Sequence, residues 1–208
     1  MLLTRALEDD RALQYLSQVN FPTALTGTCR YDNIIQVDTD NEGAAEKMTT
    51  LLIGKGFRRF AFLVKNMSYN VDRKRHEGFC RALIKNGISE KDQLFYNGSI
   101  RMEFLDAIIE NIISKKVECI ICGDDEICTM VMSRLQAEGY RIPKDVAIAS
   151  LYNSTNLDCY SPAVTAVSVA ASQMGGAAVR QLIQRLRGEN YEKKTMLDYD
   201  ILFRKSTN

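Results

Sequence analysis

The chain has 208 residues, 46% hydrophobic and 25% charged, an ordinary globular balance with room for one large domain or two small ones. A formal net charge of +1 leaves no basic footprint for nucleic acid over the chain as a whole. No apolar run approaches the roughly 20 residues that span a bilayer, and the opening MLLTRALEDD is too short and too acidic for a secretory signal. The expectation is a cytoplasmic protein without a membrane partner.

Taken in chain order, strands and helices alternate. DDRALQYLSQVN reads as a short helix capped by Asp9 or Asp10, followed by the strand FPTALTG. NIIQV (33–37) is a strand. The next helix puts Ala44, Ala45, Met48, Leu51 and Leu52 on one face and stops at Gly56. RRFAFLV (58–64) is a strand, and the polar loop KNMSYNVD leads into the helix RKRHEGFCRALIKNG, with Phe79, Ala82 and Leu83 on its apolar face. DQLFYNG is a short strand; MEFLDAIIENIISK buries Leu105, Ile108, Ile109, Ile112 and Ile113. VECIICG, a helix ending at Gly139, and VAIASL (146–151) follow. A last helix aligns Met174, Ala178, Leu182 and Leu186, and TMLDYDILFRKST closes the chain as a strand. Strands apolar on both faces and separated by single helices imply parallel βαβ units, so the fold class is α/β.

Six cysteines show no disulfide framework. Cys119 and Cys122 form a C-x-x-C inside an apolar strand, which reads as buried reduced thiols rather than a redox or zinc motif. His76 is the one histidine; it sits in the basic run RKRH and reads as a solvated surface residue. No Walker lysine loop, G-x-S-x-G or G-x-G-x-x-G is present.

Three stretches carry chemistry. In GDDE (123–126) an acid caps a helix, Asp125 by its place, while Asp124 at the strand end faces a ligand or Mg²⁺ or serves as a cap itself. In DRKRHEGF, cations in the first turn of a helix oppose the macrodipole, so an arginine fork aimed at ligand oxygens stands beside a solvated basic cluster as the alternative. IASLYNS (148–154) is a strand that ends on Tyr152, where ligands of open α/β sheets sit.

Several ordered motifs together resemble the effector-binding domain of LacI/GalR-family transcription regulators. They are VDTDNEGAAEKMTTLLIGKGFRRFAFL, RHEGFCRAL, CIICGDDEICTMVMSRLQAEGYRIPKDVAI, SPAVTAVSV, MGGAAVRQLI and ILFRKST, and they cover essentially the whole chain. The resemblance implies a periplasmic-binding-protein-like fold of two parallel-sheet, Rossmann-like subdomains with a ligand cleft between them. Residues 1–38 and 168–197 would form a partial amino-terminal subdomain, entered near its third strand, and 39–167 with 198–208 the carboxyl-terminal one. It further implies a homodimer, with Tyr160 a candidate interface aromatic or an ordinary core residue. Operator DNA would be read only through an amino-terminal headpiece absent from this sequence. No cofactor or metal is implied.

By position, Arg75 matches the family's effector-contacting arginine, and Asp124 stands where the family usually has asparagine. Asn70 and Asp72 fall in the loop bordering the cleft, and Val169 occupies a cleft position that is polar in some sugar binders. Tyr152 replaces an aspartate that accepts from ligand hydroxyls, which favours a less hydroxylated or partly apolar, sugar-like effector. The family's stacking aromatic would fall near Gly98 to Ile100, where this sequence has none. Two other readings stand beside the regulator: an extracytoplasmic sugar-binding protein of a transporter, and a Mg²⁺-dependent phosphoryl-transfer domain built on Asp124 and Asp125.

Overall fold

The computed structural model describes residues 1–98 and 102–208, with side chains described from residue 104 onward in the helix that starts at 102. The order is β1 (Leu2–Thr4), α1 (Arg11–Gln18), β2 (Ala24–Thr26), β3 (Ile35–Thr39), α2 (Asn41–Gly54), β4 (Phe60–Val64), α3 (Asn70–Lys85) and β5 (Leu94–Asn97). There follow α4 (Met102–Ser114), β6 (Cys119–Cys122), α5 (Asp125–Ala137), β7 (Ala147–Ser150), α6 (Thr155–Cys159) and β8 (Thr165–Val169). The chain ends with α7 (Ala171–Arg187), β9 (Lys194–Leu197), β10 (Tyr199–Leu202) and a 3-10 turn at Lys205–Thr207.

Two sheets result. The smaller is β1-β2-β3-β9, parallel throughout. The larger is β10-β8-β7-β6-β4-β5, parallel except for β10, which runs against β8.

The central strands β4, β6 and β7 of the larger sheet are buried at every position because both of their faces are covered, while the edge strands β5 and β10 are partly exposed to solvent. Phe60, Phe62 and Val64 of β4 face α2 and α3, where Met48, Leu52, Phe79 and Leu83 complete one core. Ala61 and Leu63 face α4 and α5, with Leu105, Ile109, Val131 and Leu135. Cys119 and Cys122 belong to these two different cores, so they lie on opposite faces and cannot share a metal. Both thiols are fully buried and pushed up by that burial, Cys122 further by a hydrogen bond with the free thiol of Cys128. The smaller sheet packs Leu25 and Ile34 against Leu13 and Leu16 of α1, and Ala24, Ile35 and Val37 against Ala177 and Ala178 of α7.

Several local expectations change once tertiary contacts are known. Leu51 is 38% exposed and Leu186 63%, because each falls just off the stripe its helix buries. The helix α3 begins at Asn70, not after Asp72, since the backbone N–H of Asn70 donates to Ala6 O at 3.0 Å and Tyr69 bridges to Leu7. Its first turn therefore holds the acid Asp72, and the basic run sits one turn in. His76 is half-buried, with its ring 4.3 Å from Phe95 and 5.7 Å from Phe62, instead of being free in solvent. Tyr160 packs at the edge of the core under α5. The final strand is two strands in two sheets, divided at Asp198.

That division matters. The chain passes between the sheets after β3, after β8 and between β9 and β10, and the three passages run side by side. Thr39 is in register with Leu197 and donates to its carbonyl at 3.0 Å, while Tyr199 is in register with Val169.

Close approach of α2 and α3 depends on Gly78, where a Cβ would stand 2.1 Å from the Glu42 carbonyl oxygen and 3.0 Å from Ala45 Cβ. Gly78→Ala is expected to lower unfolding free energy by about 1–3 kcal/mol through overpacking. Gly54→Ala, with nothing within 4 Å of the added methyl, should be neutral or stabilising by up to about 1 kcal/mol. Urea denaturation of the two variants checks both signs.

Candidate functional site

Strand ends build the site. In parallel α/β sheets the carboxyl ends of strands and the amino ends of the following helices point the same way, leaving a crevice. Here the crevices of the two sheets face each other and enclose a cavity of about 290 Å³. The smaller sheet contributes Arg5 after β1, Gly27 and Thr28 after β2, and Asp38 and Thr39 at the end of β3. The larger contributes Asp124 after β6, Tyr152 after β7, Val169 at the end of β8, and the start of α3.

All six residues singled out from the sequence, Asn70, Asp72, Arg75, Asp124, Tyr152 and Val169, border this one cavity. Arg75 is only 7% exposed, and its Nη1 donates to the Gly123 carbonyl oxygen at 2.7 Å. Burial pulls its guanidinium down from the ordinary arginine value, against the opposing pull of Asp72, Asp124 and Asp38. It stays charged, as arginine does. Asp72 accepts from the Asn66 N–H at 3.1 Å through Oδ2, and burial pushes its carboxyl up despite Arg75 nearby.

Asp124, not Asp125, caps α5. Its Oδ1 accepts from Ile127 N at 2.9 Å, and its Oδ2 lies 2.9 Å from Lys65 Nζ, which also pairs with Glu126. An extended backbone at Asp124 turns the carboxylate back over the helix start, which an Asp125 already inside the helix cannot do. With its oxygens held by Ile127 and Lys65, Asp124 is a fixed acceptor wall rather than a carboxylate set out for Mg²⁺.

Asn70 has a second task. Its Nδ2 donates to Thr28 O at 2.9 Å, and Lys74 Nζ donates to Thr28 Oγ1 at 2.8 Å, so the first turns of α3 close one rim of the cavity against the smaller sheet. Glu8 N donating to Ser68 O at 2.9 Å extends that seam. Tyr152 stands half-buried at the opposite strand end; the Ser150 hydroxyl donates to its carbonyl oxygen at 2.7 Å. Val169 and Met174 supply apolar wall. The expected aromatic position runs from Gly98 to Ile100, and Ser99 and Ile100 lie outside the described residues.

Sequence reading missed Arg5, Asp38, Thr39, Asn41 and Tyr69, all on the cavity. Asp38 Oδ1 accepts from Thr39 N at 2.8 Å and Asn41 Nδ2 at 2.9 Å, and the residue is 7% exposed. Its signal was available: a carboxylate on the last turn of a buried strand, the same strand-end rule that singled out Tyr152. Arg5 carries a left-handed backbone, φ 64°, unusual for a residue with a Cβ, and a place where strain accompanies function.

The sequence matches the model of the periplasmic binding protein-like domain over residues 49–207. The chain belongs to that family. Within it, the region corresponds to the effector-binding domain of LacI-type transcription regulators. It is 26% identical over 212 residues to the HTH-type transcriptional regulator CelR of Thermobifida fusca, covering 99% of this chain and 62% of CelR. A solved LacI regulator from Bacillus cereus subsp. cytotoxis superposes with a TM-score of 0.89 at 30% identity, covering 99% of this chain and 74% of that one. The solved CelR–cellobiose complex gives 0.86 at 26% identity, covering 99% of this chain and 64% of CelR. The chain thus spans less than two thirds of its CelR relative. No described helix is long and apolar enough to cross a membrane.

Burial raises both Asp38 and Asp72 above the ordinary aspartate value. Each binds its proton more tightly folded than unfolded, so the stability it carries is fully present at acid pH. That share is lost as pH rises through the folded value. Asp38→Asn removes one such group and keeps the acceptor oxygen. Its melting temperature relative to the unsubstituted chain should rise as pH increases above about 4. A constant or falling difference would exclude the assignment.

Proposed function

We propose that this chain is the ligand-sensing module of a LacI-type bacterial transcription regulator, holding a small sugar-like effector between two subdomains. One subdomain is the smaller sheet with its helices, residues 1–39 with 170–197, and the other is 40–169 with 198–208, within two residues of the boundaries read from the sequence. One observation carries the reading: a cavity walled by strand ends of both sheets, with three passages of chain lying side by side as a hinge. A ligand touching both walls binds the closed arrangement better than the open one, and differential affinity is all that coupling to a distant site requires.

Arg75 supplies a charged donor, Asp38, Asp72 and Asp124 supply acceptors, and Tyr152 with Val169 and Met174 supplies a partly apolar surface. The volume of about 290 Å³ is at the small end of ligand sites and suits a single-ring compound. The whole protein would act in the cytoplasm as a homodimer and reach operator DNA through a headpiece outside this sequence. The transporter reading shares the fold, but the relatives are transcription regulators, which favours the sensor.

A thermal-shift screen over sugars, sugar phosphates, nucleosides and amino acids tests this. A true effector at 100 times its Kd should stabilise by about 2.7 kcal/mol. Arg75→Lys, which keeps the charge and loses the fork, and Tyr152→Ala should each reduce that shift, Arg75→Lys by the larger amount. Unchanged shifts in both variants would move the site elsewhere.

A further inference from the structure

Resting on the cleft reading above, we propose that the effector carries an ammonium group, seated between Asp38 of the smaller sheet and Asp72 of α3. Among the described residues the cavity wall holds two cations, Arg5 and Arg75, against four carboxylates, Asp38, Asp72, Asp124 and Asp125. Asp124 is matched by Lys65 at 2.9 Å, but Lys65 is shared with Glu126. Arg75 faces Asp72, Asp124 and Asp38 together and has one Nη1 committed to Gly123. With Lys65 and Lys74 behind the wall, four cations stand against five carboxylates, Glu126 included, so the site is one positive charge short.

Asp38 and Asp72 are where a donor is lacking. They are 7% and 5% exposed, and each engages a single carboxylate oxygen: Oδ1 in Asp38, Oδ2 in Asp72. The second oxygen of each accepts no hydrogen bond from any described residue, although both residues border the cavity. A carboxylate so deeply placed needs a donor, and a charged donor most of all. A ligand hydroxyl satisfies the hydrogen bond but leaves the charge. A ligand carboxylate or phosphate adds to it. An ammonium offers three donors and one positive charge, which is what the two free oxygens lack.

The placement has a mechanical consequence. Asp38 moves with the smaller sheet and Asp72 with the larger, and Arg75 is the cation of the wall that faces both. A bound ammonium reaching the free oxygen of each adds a second bridge between the two sides and favours closure. Effector charge, beyond its shape, would then drive the switch.

Matched compounds test this on the 208-residue chain: D-glucose with D-glucosamine and N-acetyl-D-glucosamine, the galactose series likewise, myo-inositol with an aminodeoxyinositol, and D-gluconate as an anionic arm. The amine of at least one series should raise the melting temperature. Its neutral parent and its acetylated form should bind at least about tenfold more weakly, the factor expected for one charged hydrogen bond. Asp38→Asn and Asp72→Asn, each checked for native far-UV dichroism, should bring amine and parent to near parity. Equal or tighter binding of a neutral or anionic member overturns the proposal, as does an amine preference that survives both substitutions. Neutral sugars binding in an Arg75-dependent way would overturn the amine and leave the cleft reading standing. No shift from any compound in either arm would count against both.

Discussion

A guanidinium taken out of water must be met by groups that the fold brings to it, and Arg75 draws on several places. The Gly123 carbonyl at the end of β6 accepts its hydrogen bond, and the negative charges of Asp72 on its own helix, of Asp124, and of Asp38 on the other sheet surround it. Buried charge is tolerated only when it is paired and hydrogen-bonded. The position of α3 over the larger sheet, and of the smaller sheet over α3, is thus tied to the same group that faces the cavity. Gly78 serves this indirectly, because it lets α3 settle against α2 at the depth that brings Arg75 to Gly123.

The same arrangement bears on how the proposed closure would be carried. Three chain passages lie together along one side of the cavity, and the seam of Asn70, Lys74 and Thr28 lies on the rim of α3. A few residues in the passages can absorb rotation while each sheet keeps its own core, as hinge closures do. The first turns of α3 carry both the rim contacts and the cavity-facing Asp72 and Arg75. A ligand in the proposed cleft would therefore act on the same element that carries the rim.

Much of the fold was legible. Alternating strands and helices, the glycine stops and the apolar runs followed from periods and caps that operate within a few residues. Failures came where a distant segment intervened. The start of α3 depended on Ala6 and Leu7, far upstream, and the burial of His76 depended on Phe62 and Phe95 from neighbouring strands. Asp124 displaced Asp125 as the cap because the backbone at the strand end is extended, which residue type alone does not specify.

The sequence by itself determined the α/β class and singled out Arg75, Tyr152 and Asp124, which border the cavity, since each is written in a short stretch with its own periodicity or motif. Tertiary structure alone decided that Asp38 and Arg5 share the cavity with them, and that Asp38 and Asp72 keep an oxygen free. The physical reason is that local signals report backbone conformation, whereas charge balance is a sum over groups that meet only after two sheets have folded and closed on each other.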